Sequence, residues 1–321
     1  MTTHASALLR AGGVVAFPTE TVYGLGADAD NDDAVRRIFS IKGRPADHPL
    51  IVHLADVSMV ERWVREVPDT ALRLAERFWP GPLTIVFRRS SRVSDLVTGG
   101  LDTVGIRVPN HPVAQALLLE FGGGIAAPSA NRFGRISPTS AEHVRDELGA
   151  APDLILDGGN CQVGLESTII SLVDDRPVLL RPGGISLLEL SEVIGSEVAL
   201  LKQPEQALRA PGSHASHYAP LTPTAIISTE SLPAFARRLI DAGQNIAMIC
   251  LSETIFASCR SAGSLLLPLE PAAYGRALYA ALRQLDAVGH DKILIEAPPE
   301  TEPWRAVRDR IHRAAYCHNN K

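Results

Sequence analysis

A stretch without regular structure divides the sequence into two unequal parts. Residues 204–223 are rich in proline, glycine, serine, alanine and histidine, and they show neither helical nor strand periodicity. Such a composition is typical of a linker. A chain of 321 residues also exceeds what one compact core usually holds. We therefore predict two folded domains, residues 1–203 and 223–321, joined by a linker over residues 204–222.

The first part alternates short apolar segments with helical segments, without a regular strand–helix–strand rhythm. The strand 14–17 stops at Pro18, and the hydroxyl- and glycine-rich segment 19–26 is expected to be a loop. One helix is expected over 58–79, and another is expected to be capped by Asp32 or Asp33. The pattern predicts an α/β fold with a large mixed, twisted sheet and flanking helices. The other predicted strands are 49–54, 84–87, 104–108, 125–127, 154–156, 167–173 and 178–180, and the other helices are 112–121 and 140–148.

The alternation becomes regular after the linker. This order is typical of a small, doubly wound parallel-sheet domain of the Rossmann type. No Gly-x-Gly-x-x-Gly segment opens any of its helices, so we expect no separate nucleotide site there. The predicted strands are 224–227, 246–250, 265–267 and 292–295, and the predicted helices are 232–242, 272–287 and 304–315.

The charge balance argues against a general nucleic-acid-binding protein. The net charge is −5; residues 222–321 carry 11 basic and 10 acidic groups, which leaves 20 and 26 for residues 1–221. The four cysteines are far apart, which favours reduced thiols in a reducing compartment. No apolar run reaches the roughly 18 residues of a membrane helix, and the N-terminus lacks the features of a secretory signal. We therefore expect a cytoplasmic protein.

Familiar site motifs are absent from the sequence. It contains no Gly-x-x-x-x-Gly-Lys-Ser/Thr phosphate loop, no His-Glu-x-x-His segment and no paired cysteines. We therefore predict no metal centre held by the protein itself. Any phosphate binding must come from dispersed side chains.

Lysine is scarce, and this gives Lys42 unusual weight. Only four of the 31 basic residues are lysines, and Lys42 is the only one among the first 201 residues. It begins the segment Lys42-Gly43-Arg44, in which two cations flank a glycine just before a predicted strand. A compact ammonium and a forked guanidinium neutralise phosphate charge in different ways. The segment alone leaves a solvated loop and a polyphosphate site equally open.

Further polar residues lie at the ends of predicted strands. Ser129 and Asn131 follow a buried strand, where they could grip a phosphate or ribose or cap a helix. Ser137 precedes a helix start and has the same two interpretations. Arg107 lies inside an apolar strand and needs an anionic partner, either a ligand carboxylate or a structural Asp or Glu. Arg181 poses the same alternatives, with a phosphate as the candidate ligand.

Taken in series, seven segments resemble the YrdC-like threonylcarbamoyl-AMP synthase family over roughly residues 5–200. Each segment alone is weak, but their common order is specific. The segment His217-Tyr218-Ala219-Pro220 and the trailing α/β part are similar to the longer, two-domain branch, although this chain has residues 213–216 as Ser-His-Ala-Ser where many long members have a Met-Lys-Tyr-like stretch. The seven segments are Pro18–Leu25, Lys42–Arg44, Pro49–His53, Trp79–Thr84, Gly105–Pro109, Ala127–Asn131 and Arg181–Gly183.

The resemblance implies an activity. L-threonine, bicarbonate or CO2, and ATP would give threonylcarbamoyl-AMP and pyrophosphate, with Mg²⁺ bridging the phosphates. Partner proteins would then transfer the carbamoyl group to adenosine in tRNA, and direct binding of tRNA by this chain is left open. The linker would close over the site as a lid that retains the labile product.

The resemblance also implies site residues, position by position. Arg107 would face the carboxylate of threonine. The implied threonine-binding residues are Thr21, His53, Arg107, Ala127 and Ser167. The implied ATP-binding residues are Arg44, His48, Thr103, Ser129, Ser137, Arg181, His217 and Tyr218, and the implied catalytic residues are Lys42, Arg44, Ser129 and Asn131.

Two other functions compete with this one. A concave basic surface could bind double-stranded RNA or tRNA without ATP chemistry, although the net charge argues against it. A related carbamoyl-transfer enzyme of hydrogenase maturation would need zinc-finger cysteines and additional domains that this sequence lacks. The local charge for RNA binding would come from Arg36, Arg37, Lys42, Arg44, Arg88, Arg89 and Arg92.

Overall fold

A computed structural model describes residues 1–174, 176–201, 218–258 and 263–319, which form two compact units. The first unit comprises Met1–Phe133, Pro138–Gln162 and the described part of Glu166–Ser213. The second comprises Gly134–Ser137, Val163–Leu165 and the described part of His214–Lys321. Two short segments that precede residue 166 therefore pack with the C-terminal part of the chain. Among the described residues, no helix combines the length and apolar character that a bilayer crossing requires.

The first unit is built on a mixed sheet of ten strands. Their order is β10-β9-β8-β4-β5-β3-β6-β2-β1-β7, and parallel and antiparallel neighbours alternate irregularly along it. The predicted α/β fold with a large mixed sheet is confirmed. The strands are β1 Val15–Phe17, β2 Gly24–Asp28, β3 Ile51–His53, β4 Leu83–Arg88, β5 Thr103–Arg107, β6 Ile125–Ala127, β7 Leu154–Ile155, β8 Thr168–Ser171, β9 Val178–Arg181 and β10 Ala199–Leu200.

Helices cover this sheet, and apolar clusters lie on both of its faces. Val14 and Ala16 belong to one cluster, whereas their neighbours Val15 and Phe17 belong to another. Because strands buried on both faces lose the polar–apolar alternation, these segments are continuously apolar. The helices are α1 Thr2–Arg10, α2 Asp32–Lys42, α3 Asp69–Phe78, α4 Asp95–Thr98, α5 Pro112–Phe121, α6 Ala141–Leu148 and α7 Leu187–Ile194, with a 3₁₀ helix at Val57–Arg62.

Three local predictions for this unit are wrong. The segment from Gly24 is strand β2 rather than loop, because a Cβ at Gly26 would lie 2.7 Å from the Phe17 ring and only glycine allows this packing. The helix predicted over 58–79 is interrupted, since Pro68 precedes and starts α3. Helix α2 is capped by Asn31, whose side chain accepts hydrogen bonds from two backbone N–H groups, rather than by Asp32 or Asp33.

The second unit contains a parallel sheet of four strands, as predicted. The strand order is β11-β14-β12-β13, and every described pairing is parallel. The short helix α9 was not predicted. The strands are β11 Thr224–Ile227, β12 Ile246–Cys250, β13 Leu265–Leu266 and β14 Lys292–Glu296, and the helices are α8 Leu232–Asp241, α9 Glu253–Ser258, α10 Pro271–Val288 and α11 Arg305–Asn319, with a 3₁₀ helix at Glu302–Trp304.

One close backbone approach fixes the turn that follows β9. A Cβ at Gly183 would lie 2.3 Å from the backbone nitrogen of Thr168 and 2.6 Å from the carbonyl oxygen of Glu166. Neither backbone atom can move away as a flexible side chain could. Glycine is therefore required directly after Arg181-Pro182, and the turn holds β9 against β8.

Gly183→Ala is expected to destabilise the first unit by about 3 kcal/mol, because the methyl group collides with backbone atoms. The matched control is Gly100→Ala: a Cβ there meets nothing within 4 Å, and only the positive φ of +79° opposes it, at about 1 kcal/mol. Chemical denaturation of both variants measures the difference. Equal stabilities of the two variants would contradict this account of the turn.

Candidate active site

Polar side chains converge on one face of the ten-stranded sheet. In β5, Thr103, Gly105 and Arg107 point to the same face because side chains alternate along a strand. The parallel partner β3 pairs Ile51 with Gly105 and His53 with Arg107, so both side chains of β3 join this face. His53 and Arg107 therefore lie side by side at the end of two neighbouring strands.

Apolar residues form the floor of this face. Ile51 and Val86 belong to a small buried cluster with Ile169 and Leu180. Between them Gly105 lacks a side chain, and a Cβ there would lie 3.3 Å from the methyl carbon of Thr84. The predicted site residue Ala127 is buried and pairs with Ile51 across β3 and β6, which places it on the same face. The face thus has a narrow apolar floor with polar groups at its two ends.

Lys42 lies at one of these ends, where β6 leaves the sheet. It is the last residue of α2 and is only 3% exposed, rather than part of a solvated loop. Its ammonium nitrogen Nζ donates to the carbonyl oxygens of Ser129, at 2.6 Å, and Asn131. The backbone N–H of Phe133 in turn donates to the Lys42 carbonyl at 2.8 Å. The predicted pair of segments, Lys42–Arg44 and Ser129–Asn131, is therefore in direct contact.

Burial changes the protonation chemistry of Lys42. Loss of hydration, and then the positive charge of Arg44, hold the pKa of the Lys42 ammonium well below its ordinary value, against an opposing effect of Glu147. Gly43 ends α2 in the left-handed conformation with φ of 62°, which turns the chain so that Arg44 follows beside Lys42. An anionic ligand would relieve the repulsion between these two cations.

Three other predicted ATP-binding residues lie at this same end. Arg44 is buried and donates through Nη2 to the Pro49 carbonyl at 2.8 Å. The His48 ring packs on the Phe133 ring, with centroids 5.2 Å apart. Thr103 begins β5 and is buried. From Thr103 to Arg107 the strand covers about 13 Å, so the two ends of the face are separated by the length of a small ligand.

Arg107 dominates the opposite end, and its partner is Glu20. The Arg107 nitrogen Nη2 lies 2.8 Å from Glu20 Oε1, and both side chains are about 95% buried, at 5% and 6% exposure. The second carboxylate oxygen of Glu20 accepts a hydrogen bond from the backbone N–H of Asn110 at 3.0 Å. Of the two partners that the sequence left open for Arg107, the structure contains the structural carboxylate. Sequence reasoning did not select Glu20.

His53 is neutral beside this ion pair. Burial, and then the positive charge of Arg107, lower the pKa of His53 to about 3. Its Nδ1 lies 3.1 Å from the carbonyl oxygen of Ile51, and its ring meets the Phe17 ring edge-on at 5.8 Å between centroids. A neutral ring can offer one donor and one acceptor rather than two donors.

The loop that carries Glu20 is ordered by its own hydroxyl groups. The Thr19 hydroxyl donates to the Val22 carbonyl at 2.7 Å and accepts from the backbone N–H groups of Thr21 and Val22. Since its single proton is used, the Thr21 hydroxyl must be the donor in the 2.8 Å contact between the two side chains. Thr21, a predicted threonine-binding residue, can therefore meet a further group only as an acceptor.

Ser167 and Arg181 form a second polar group near the Arg107 end. Arg181 donates through Nε to the Ser167 carbonyl and through Nη2 to the Ser167 hydroxyl, both at 3.1 Å. The Ser167 hydroxyl also lies 2.7 Å from that of Thr84, a residue that the sequence did not indicate. A residue predicted to bind ATP, Arg181, is thus in contact with one predicted to bind threonine, Ser167.

Two remaining predictions fall in the second unit, and one falls outside the described residues. Ser137 is fully buried, next to Ile136, whose carbonyl accepts a hydrogen bond from Arg283. Tyr218 is buried with a positive φ of 63°, and its ring lies 5.8 Å from the Tyr279 ring. The Arg310 guanidinium covers the Tyr218 ring at 5.2 Å. His217 lies outside the described residues.

Two family models match this chain. The Sua5/YciO/YrdC model, described as "Telomere recombination", matches residues 7–183. A second model, described as "Threonylcarbamoyl-AMP synthase, C-terminal domain", matches residues 185–316. Together they cover nearly the whole chain in the order expected for the long, two-domain branch.

Full-length relatives agree with the family models. The threonylcarbamoyl-AMP synthase of Bacillus subtilis strain 168 is 44% identical over 322 residues, which cover 97% of this chain and 92% of the relative. That of Pyrococcus abyssi is 40% identical over 320 residues, covering 97% and 93%. The solved structure of P. abyssi Sua5 complexed with L-threonine matches with a TM-score of 0.92 at 39% identity, over 99% of this chain and 94% of that one. The chain therefore belongs to the Sua5/YrdC family of threonylcarbamoyl-AMP synthases.

Proposed function

We propose that this chain is a threonylcarbamoyl-AMP synthase, which converts L-threonine, bicarbonate and ATP into threonylcarbamoyl-AMP, pyrophosphate and water. The observation that carries the proposal is the arrangement of charge on one sheet face. Two buried cations, Lys42 and Arg44, lie at one end, and Arg107 lies at the other. A face of this kind suits a polyphosphate and an amino-acid carboxylate at the same time. The threonine complex of the P. abyssi relative supports the amino acid as a substrate class.

Threonine is assigned to the Arg107 end. Arg107 would bind its carboxylate, and the Thr21 hydroxyl would accept a hydrogen bond from its amine or hydroxyl group. Neutral His53 and the small residue Ala127 would line the same space, with Ser167 beside them. The amine of threonine must be uncharged to add to CO2. Because the His53 ring is neutral, it places no second positive charge beside Arg107.

ATP is assigned to the Lys42 end. Lys42 and Arg44 would neutralise phosphate charge, and the turn with Ser129 and Asn131 would supply hydrogen-bonding groups. His48 and Thr103 would complete the contacts at this end, and Arg181, which lies near the Arg107 end, would contact the nucleotide from there. Ser137 is a further proposed ATP-binding residue. His217 and Tyr218 are the remaining proposed ATP-binding residues, and the proposed domain limits are 1–203, 204–222 and 223–321.

The reaction needs positioning and charge neutralisation rather than a protein nucleophile. The uncharged amine of threonine adds to CO2 and loses a proton, which gives a carbamate. One carbamate oxygen attacks the α-phosphorus, and the bond from that phosphorus to the oxygen that bridges to the β-phosphorus breaks, so that pyrophosphate leaves with the bonding electron pair. Fixed cations stabilise the charge that develops on the phosphate oxygens. We therefore assign Lys42, Arg44, Ser129 and Asn131 as the catalytic residues.

Mg²⁺ would enter with the nucleotide rather than occupy a protein site. Among the residues that the structure describes, no three His, Cys, Asp or Glu side chains cluster as a metal site would require. Mg²⁺ in nucleotide sites is commonly held by phosphate oxygens and water, with few protein ligands. The cation would then add to the neutralisation that Lys42 and Arg44 provide.

The product would pass to partner proteins that modify tRNA in the cytoplasm. Cys161 and Cys250, the cysteines whose side chains are described, are buried thiols, which suits a reducing compartment. Burial raises the pKa of the Cys161 thiol to about 12, so this thiol is unreactive near neutral pH.

An RNA-binding module without ATP chemistry receives no support from the basic residues. Arg36 pairs with Asp33 at 2.6 Å, and Arg37 pairs with Asp153 at 2.9 Å. Arg88 and Arg89 are likewise paired, with Asp102 and Asp95. Lys42 and Arg44 are buried. The charge that the competing function needs is therefore largely neutralised within the protein.

Pyrophosphate release is expected only when ATP, L-threonine and bicarbonate are all present. The reason is that the attacking oxygen belongs to the carbamate, which exists only when amine and CO2 have combined. A coupled pyrophosphate assay with each component omitted in turn measures this. Equal release without L-threonine would show that the proposal is wrong.

Lys42→Ala, Lys42→Met and Arg44→Ala are expected to lower turnover by at least about a hundredfold, because each removes a fixed cation from the phosphate end. Arg36→Ala is the matched control, since Arg36 is an exposed cation on the same helix α2. Circular dichroism verifies that each variant is folded. Unchanged kinetics in folded Lys42 and Arg44 variants would remove these residues from the site.

Threonine binding is expected not to titrate near the ordinary histidine pKa. With a pKa of about 3, His53 stays neutral as the pH falls from about 7.5 to about 5. A protonated ring would attract the carboxylate and strengthen binding at low pH. Calorimetry should therefore give a dissociation constant for L-threonine that changes less than about twofold over this range. Tighter binding at low pH that His53→Gln abolishes and His4→Gln retains would contradict the neutral state of His53.

A further inference from the structure

Glu20 is a buried carboxylate to which the proposed reaction gives no role. It lies in the loop between β1 and β2 and is only 4% exposed. Burying an ionised carboxylate is costly unless its oxygens are compensated. Its two oxygens contact the segment that carries Arg107 in two different ways, and this pattern points to a function.

The first contact ties Glu20 to the backbone that follows β5. Oε2 accepts a hydrogen bond from the N–H of Asn110 at 3.0 Å. Asn110 comes three positions after Arg107 and directly before the His111 cap of α5. The carboxylate is thereby fixed to the chain segment that presents Arg107, and it cannot drift with the β1–β2 loop.

The second contact orients Arg107 itself. Oε1 lies 2.8 Å from Nη2 of Arg107, but the two atoms are not aligned for a hydrogen bond. The contact is therefore an electrostatic restraint that leaves the hydrogen-bonding capacity of both buried atoms unused. The charge of Glu20 therefore holds the Arg107 guanidinium in place without a hydrogen bond between Oε1 and Nη2.

The remaining nitrogens of Arg107 show which edge is available. Nε donates to the Gly81 carbonyl at 3.4 Å. Nη1 makes no hydrogen bond to any residue in the described ranges, and it retains contact with solvent. Glu20 and Gly81 thus restrain Nη2 and Nε, and Nη1 is the guanidinium nitrogen that keeps donors for a ligand carboxylate. The N–H groups of Nη1 can donate charge-assisted hydrogen bonds to a carboxylate.

We propose that Glu20 is a positioning residue that holds Arg107 in the orientation required by the carboxylate of the amino-acid substrate. This role rests on the proposed function and extends it to recognition of the α-carboxylate. Because Glu20 already neutralises Arg107, binding there depends on alignment more than on net charge. Such a site should discriminate sharply between a carboxylate and a neutral group of the same shape.

Glu20→Gln is the direct test. The amide keeps the volume, but its NH2 group faces Nη2 of Arg107 donor to donor, or its single oxygen must abandon Asn110. We expect the KM for L-threonine to rise at least about tenfold, the loss equivalent to one misaligned charge-assisted hydrogen bond, with the KM for ATP changed less than about twofold. Glu120→Gln is the matched control, because Glu120 is an exposed glutamate on α5.

Substrate discrimination separates positioning from a merely structural role. Wild type should prefer L-threonine to L-threoninamide, in which a neutral amide replaces the carboxylate, and Glu20→Gln should reduce that preference at least about tenfold. In an Arg107→Gln background, Glu20→Gln should change the preference no further. An equal loss with both substrates, accompanied by a higher KM for ATP, would overturn the proposal in favour of a structural role. Unchanged kinetics would also overturn it.

Two further measurements keep the test decisive. If Glu20→Gln does not melt cooperatively, Glu20→Asp replaces it: the charge is kept but withdrawn by one methylene, and the KM for L-threonine should still rise selectively. A wild-type KM in that variant would overturn the proposal.

If wild type releases no pyrophosphate with L-threonine, the proposed function has failed. Calorimetric binding of L-threonine to wild type and Glu20→Gln then tests the role of Glu20 alone. Equal affinities would overturn its role.

Discussion

The buried ammonium of Lys42 is the constraint around which the proposed phosphate end is organised. An isolated buried cation costs several kcal/mol, and here two backbone carbonyls, those of Ser129 and Asn131, compensate for the lost water. This requirement ties the C-terminus of α2 to the turn after β6. The left-handed Gly43 then places Arg44 beside Lys42, where the two charges repel each other. The backbone carbonyls thus offset the cost of burying the Lys42 ammonium, and the two neighbouring cations make this end of the face suitable for an anion.

The sheet determines how the second end relates to the first. Alternation along β5 puts Thr103 and Arg107 on one face, and Gly105 between them leaves that face clear. Register with β3 adds His53 beside Arg107, so the pKa of the ring falls through burial and through the adjacent guanidinium. The pairing of β3 with β5 therefore fixes the distance between the Lys42 end and the Arg107 end of this face. At the proposed phosphate end the cations come from the C-terminus of α2 and the residue after its glycine cap, rather than from a phosphate loop.

Much of the fold could be predicted because local signals were strong. Strand β6 and helix α5 have the bounds that their flanking prolines and glycines indicated, and β12 is an uninterrupted apolar run. Strand β2 could not be predicted, since its glycines look like a loop until the Phe17 ring that packs on them is known. The missed helix α7 begins with a capping box at Ser186 that was visible in the sequence.

The site could be predicted only in part, for the same reason. Arg107 was evident as a cation in an apolar strand, but Glu20 interacts with a segment 90 positions away, and no local sequence pattern joins them. Likewise, the packing of Gly134–Ser137 with the C-terminal unit depends on tertiary contacts such as Arg135 with Asp286.

In the proposed reaction, a carbamate of threonine, formed from bicarbonate, attacks ATP at this face. The most direct test is mass spectrometry of the nucleotide product formed from ATP, L-threonine and carbon-13 bicarbonate. We expect threonylcarbamoyl-AMP that carries the heavy carbon, and no such product when Lys42 is replaced. An adenylate of threonine without the labelled carbon would contradict it, because the carboxylate of the amino acid would then be the attacking group.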